Sequence, residues 1–148
     1  MPEPDIEAIN KNRDRAFALQ ARVIAYNEKY KSFTDIRKNL TKMNELISSD
    51  MDFADEHKKI YETVNREYNT IIRALTNRRE GLARDMFGLN VLYTATGSLT
   101  GVEEESVNNA LMAMDKAEEM IDTFLTEHWD AYINFFRERN ITLDKILR

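Results

Sequence analysis

Residues 9–47 read INKNRDRAFALQARVIAYNEKYKSFTDIRKNLTKMNELI, and the spacing of their apolar side chains decides the fold class. Ile9, Ala16, Leu19, Val23, Tyr26, Tyr30, Phe33, Leu40 and Ile47 fall on one alternating three-and-four seam, with Asn12, Arg37 and Asn44 as its polar exceptions. Side chains at that spacing lie along one side of a helix, and an apolar side must be covered by partner helices. Two further stretches supply the cover. Phe53, His57, Ile60, Val64, Ile71, Leu75 and Leu82 form a second seam, and Val107, Leu111, Met114, Ile121, Leu125, Tyr132 and Phe136 a third.

The breaks between the stretches have the chemistry of helix ends. Ser48-Ser49-Asp50-Met51-Asp52 offers side-chain oxygens that can accept hydrogen bonds from the unpaired amides of a new helix, which predicts a tight turn there. Thr94-Ala95-Thr96-Gly97-Ser98-Leu99-Thr100-Gly101 disfavours helix, and Thr100 followed by Glu103 fits a capping box. The predicted helices span about 5–47, 52–93 and 102–143, each roughly 60 Å long at about 1.5 Å per residue. Near-equal lengths and short connections predict an all-α fold, an elongated antiparallel up-down-up three-helix bundle. Four helices result if the middle segment breaks at Gly81–Gly88, since each glycine costs about 1 kcal/mol relative to alanine inside a helix. The plainer reading is that these glycines allow close packing or end a turn.

Composition fits one helical domain over residues 1–148. The chain is 43% hydrophobic and 32% charged, enough to bury a core and too rich in large apolar residues for disorder. No apolar run approaches the roughly 20 residues that span a bilayer, so no membrane insertion of this segment is expected. Met1-Pro2-Glu3-Pro4 fits a native start and the cut edge of a longer protein equally well. The absence of cysteine excludes disulfides, thiolate metal sites and cysteine nucleophiles. A net charge of −5 argues against nucleic acid as the main partner, because binding to phosphates requires clustered lysine and arginine. Arg73, Arg78, Arg79 and Arg84 are the local exception, and with Glu80 and Asp85 among them they read as a solvated helix face.

No catalytic constellation stands out, and no cofactor or metal is expected. His57 and His128 are the candidates for ligation or near-neutral proton transfer, but neither has the Glu-x-x-His partner of di-iron bundles. Their places near the start of the second helix and past the middle of the third set them at different heights. A structural role, buried and hydrogen-bonded to a neighbour, is expected for both. Trp129, Tyr132, Phe135 and Phe136 read as an aromatic core layer. A ligand pocket there would use Tyr30, Tyr68, His128 and Trp129. Glu103-Glu104-Glu105 is explained by the unpaired amides of a first helical turn.

Leu89-Asn90-Val91-Leu92-Tyr93, a small polar turn, an acidic helix start, and then Phe124-Leu125, Trp129 and Ile133-Asn134-Phe135-Phe136 carry a family resemblance. Together they resemble the helical tail that follows the sialidase-type β-propeller of bacterial sortilin-like proteins, over about the last third of the chain. Here Leu99-Thr100-Gly101 stands where that family's turn often has a proline. The resemblance implies an exported multidomain protein, with this piece as a structural or docking module. Without it, a cytoplasmic location is the default. The sequence therefore supports a non-enzymatic helical module that holds a protein, whether another domain, another subunit or a second copy of itself. Asn12, Arg37 and Asn44, which would be costly to bury unpaired, mark where the first helix would stay open to that partner. The alternative is a small-molecule-binding or sensory bundle.

Overall fold

A computed structural model describes residues 3–77, 81–144 and 146–147 of the chain. The fold is an all-α helical bundle, and no strand occurs among the described residues. Helix α1 (Ile6–Glu45) is followed by α2 (Ala54–Thr76), α3 (Gly81–Met86), a 3-10 turn (Phe87–Asn90) and α4 (Val91–Thr94). Helix α5 (Gly101–Phe124) then leads through a π turn (Leu125–Trp129) into α6 (Asp130–Glu138). The long helices are α1, α2 and the α5–α6 run.

The helix starts follow the local sequence. Asp5 caps α1, its carboxylate accepting the Ala8 amide at 3.0 Å. The capping box predicted at Thr100 is present: the Thr100 amide donates to the Glu103 carboxylate at 2.9 Å, and the Glu103 amide to the Thr100 hydroxyl at 3.1 Å. Helix α5 begins one residue later, at Gly101.

Two ends differ from expectation. The middle stretch does not stay one helix to residue 93, because α2 stops at Thr76 and helix resumes at Gly81, whose φ of 71° lies in the left-handed region that ends regular α structure. The last helix stops at Glu138 rather than near Leu143. Asn140 takes a φ of 58°, and the amides of Asn140 and Ile141 turn back to the carbonyls of Arg137 and Phe136 at 3.1 and 3.0 Å. Those two bonds make a Schellman ending, with asparagine in the place usually held by glycine.

The chain forms two compact units, and residues of α1 and of α5 belong to both. Unit 1 joins the chain up to Lys29 with Ala74–Glu118. In it Ala16, Leu92 and Val107 are buried together, with Leu19, Leu89, Val91, Leu99 and Leu111 packed around them. Helices α1 and α5 run parallel within this unit, as its ion pairs show. Arg15 meets Glu104 at 2.7 Å, and farther along Arg22 meets Asp115 at 2.6 Å and Glu118 at 2.8 Å. Gly88 makes the close approach that the sequence suggested for a helical glycine. A Cβ there would fall on the Ser106 carbonyl oxygen and 2.8 Å from its carbon.

Unit 2 joins Tyr30–Arg73 with the chain from Glu119 onward. Its core takes Phe33, Ile36, Leu40 and Met43 from α1, Val64, Tyr68 and Ile71 from α2, and Ile121, Phe124, Tyr132 and Phe136 from the last helical run. The Phe33 ring lies 4.7 Å from Tyr68 and 5.5 Å from Phe124. Helix α2 is antiparallel to the last run here: Phe53 meets Phe135, His57 meets Tyr132, and Tyr68 meets Phe124.

Candidate functional site

The three polar residues of the first seam do not share a surface. Asn12, in unit 1, is buried, and its side-chain NH2 donates to the Gly97 carbonyl at 2.9 Å, tying α1 to the turn before α5. Arg37 and Asn44, in unit 2, are exposed. The buried positions after Phe33 are Ile36, Leu40 and Met43, so the seam changes phase by one residue and leaves both polar side chains outside. Arg37 donates to Asn65 at 2.9 Å and to Asn69, and its guanidinium carbon lies 4.6 Å from the centre of the Tyr68 ring. Of the arginine group, Arg73 reaches the Asn69 carbonyl at 3.4 Å and Arg84 pairs weakly with Asp85 at 3.5 Å. Arg78, Arg79 and Glu80 lie outside the described residues.

The residues named for a ligand layer are spread through the aromatic packing of unit 2. Tyr68 is buried, and its hydroxyl donates to the backbone carbonyls of Phe33 and Thr34 at 2.9 and 3.1 Å. Burial raises its pKa, with the Arg37 charge opposing. Tyr30 is half-buried. His128 lies against Phe124, 6.0 Å between rings, while Trp129 lies against Tyr132 at 6.2 Å. Tyr68 and His128 thus both touch Phe124, and Trp129 belongs with the neighbouring cluster.

That cluster surrounds His57. The imidazole is 3% exposed, and its Nε2 lies 2.8 Å from the Tyr132 hydroxyl. Tyr61, Tyr132, Phe135 and Phe136 enclose the ring, with centroids 5.6 to 6.0 Å away. Burial lowers the His57 pKa and raises that of the Tyr132 hydroxyl, so both are held neutral. Arg139 closes the end of the cluster. Its guanidinium stacks 3.6 Å from the Phe135 ring centre and pairs with Glu56 at 2.8 Å.

An opening on the surface lies in unit 1. A cavity of about 240 Å³ is walled on one side by Ala16, Leu19, Gln20 and Val23 of α1. Met86, Leu89, Asn90, Leu92 and Tyr93, on the short helical segments after α3 begins, form the other wall. At 100° per residue, Phe17 and Ile24 continue the α1 wall outward past Gln20. Phe17 is 76% exposed and Tyr93 64% exposed, while Phe87 and Ile24 are each about half exposed. Reading the seams alone missed this surface, because Phe17 and Ile24 lie off the first seam. The legible signal was their seven-residue spacing, which stacks two large apolar side chains on one outer line of α1.

Among the described residues, no three histidine, aspartate or glutamate side chains come together to hold a metal ion. No described helix is long and apolar enough to cross a membrane. Neither protein-family models, nor curated proteins, nor solved structures yield a match to this chain. The chemistry offered by the groove is apolar contact with a few amide hydrogen bonds from Gln20 and Asn90. His57 and Tyr132 use their hydrogen bond on each other.

Proposed function

We propose that the chain is a non-enzymatic helical interaction module that holds a partner protein, another domain or subunit, in the groove of unit 1. The observation that carries the reading is the apolar groove with Tyr93 exposed on its wall, and with Phe17, which helical spacing sets next to Gln20, exposed beside it. Large apolar side chains grouped on a surface favour association, since covering them releases water at roughly 25 cal/mol per Å². A trough between helical walls suits the apolar face of an amphipathic helix, and Gln20 and Asn90 offer hydrogen bonds to its polar edge. The resemblance of Leu89–Phe136 to the helical tail of sortilin-like proteins supports the same class of role, with this chain as the docking module of an exported multidomain protein. The second reading, a small-molecule-binding or sensory bundle, is favoured by the cavity alone.

The test is site-specific photo-crosslinking from position 17, with position 112 on the exposed Met112 as control. The expected result is one crosslinked protein from position 17 that is identifiable by mass spectrometry. Tyr93→Asp should abolish the crosslink without changing the melting temperature. Equal background labelling from both positions would refute the groove as an interface. Saturable binding of a small apolar molecule, blocked by the same substitution, would put the ligand-binding reading in its place.

A further inference from the structure

The pairing of His57 with Tyr132 has no evident part in holding a partner, and its geometry gives it another use. Tyr132 is fully buried and, among the described residues, has one hydrogen-bond partner, the His57 Nε2. The pairing forms when the tyrosine O–H donates to Nε2 of a neutral imidazole, whose ring proton is then on Nδ1. A proton added at Nε2 would face the tyrosine oxygen and force the phenolic hydrogen to turn away, where no other acceptor meets it among the described residues. The new charge would also be poorly received. The imidazole is buried among the rings of Tyr61, Tyr132, Phe135 and Phe136, so a charge formed there would lose its hydration.

The ionisable groups around the ring do not offset that charge. On its own helix they are Tyr61, stacked on the imidazole, and Glu56, whose carboxylate is already paired with Arg139. From the last helical run they are Tyr132 and then Arg139, a fixed cation lying over the Phe135 ring that covers His57. From α1, the buried residues of this unit are the apolar Phe33, Ile36, Leu40 and Met43. Among the described residues, no carboxylate pairs with the imidazole.

We propose that His57 is an acid-sensitive latch: protonating it reverses its bond with Tyr132, strips the phenolic O–H of its acceptor inside the buried cluster, and loosens α2 from α6 within unit 2. Burial lowers the His57 pKa in the closed form below its ordinary value of 6.5. The sign follows from which form binds the proton first. Above about 6.5 both forms are neutral and the contact has its full strength. Below it the opened form is protonated preferentially, so the contact weakens progressively until pH passes below the closed-form value. The helices themselves need not melt, since their capping and their own hydrogen bonds are untouched.

The chain carries its own reporter, because its one tryptophan, Trp129, lies 6.2 Å from Tyr132. The experiment follows histidine Cε1–H shifts by NMR, Trp129 fluorescence and amide protection of α2, from about pH 8 to about pH 4. The expected result is a His57 titration below the ordinary range, coincident with a fluorescence transition. Protection at the α2–α6 contact should fall by up to about tenfold per pH unit below the ordinary value. His57→Phe should abolish the transition, and His128→Gln should leave it in place. Tyr132→Phe, which removes only the hydroxyl, should move the His57 titration upward, because it deletes the bond that favours the neutral ring. Persistence of the transition in His57→Phe would overturn the proposal. If that variant does not fold, an unmoved His57 titration in Tyr132→Phe, or a flat Trp129 signal across the wild-type His57 titration, would overturn it equally.

Discussion

Single residues show where apolar spacing is a sufficient guide and where it is not. Ile121 lies on the third seam, is 1% exposed and belongs to the core of unit 2, as its spacing implied. Ile121→Ala should therefore lower stability by on the order of 2 to 5 kcal/mol, through lost contacts and an incompletely collapsed cavity. Chemical denaturation checks this, and a loss below the range of surface substitutions would show the site to be open. Around Phe33 the same logic is ambiguous, because Ile36 and Arg37 both continue a helical stripe. Strict alternation selects Arg37, whereas the structure buries Ile36 and then Met43. Desolvating a guanidinium costs several kcal/mol and desolvating an isoleucine gains free energy, so chemistry prevails over periodicity. Asn12 shows the converse, a polar side chain that stays buried because the Gly97 carbonyl meets it, and a carbonyl 85 residues away cannot be read from local sequence.

At the scale of elements, the ends encoded by neighbouring side chains were legible. Thr100 and Glu103 needed only their own spacing to announce the start of α5, and Thr100→Ala should cost about 0.5 to 2 kcal/mol by leaving first-turn amides without that acceptor. Thermal melting of the single variant measures it. Gly88 was legible as a position of close approach but not as to what approaches. With the Ser106 backbone in the space of its missing side chain, Gly88→Ala should destabilise by about 1 to 3 kcal/mol instead of gaining the usual helix propensity. A variant as stable as the parent would mean that the 3-10 turn can move aside at little cost. The end of α6 at Glu138, sealed by the turn at Asn140, was missed for a physical reason. Asparagine enters the left-handed region only when the following chain folds back, and here buried Leu143 follows the turn.

For the whole molecule, the helical period of every long stretch was enough to set the class, all-α, but not the partition into two compact units. That partition depends on which seam faces which, and one seam looks much like another from sequence. The groove shares this limit. Its walls come from parts of the chain some 70 residues apart, Ala16 to Met86, so only their exposed outliers, Phe17 and Ile24, were visible locally. Because no potential ligand set comes together among the described residues, zinc titration should show no stoichiometric binding by calorimetry. A tight one-to-one isotherm would expose a site made elsewhere in the chain. The π turn carries a different lesson, about chain length. Phe124 and Trp129 are both buried although five positions apart, which in an unbroken α-helix would point them about 140° away from each other. The turn absorbs a surplus residue, as a leap day keeps a calendar aligned with the seasons. Deleting exposed Thr126 should therefore spare the aromatic core, whereas deleting Lys116, also exposed, from regular helix should throw everything after it out of step.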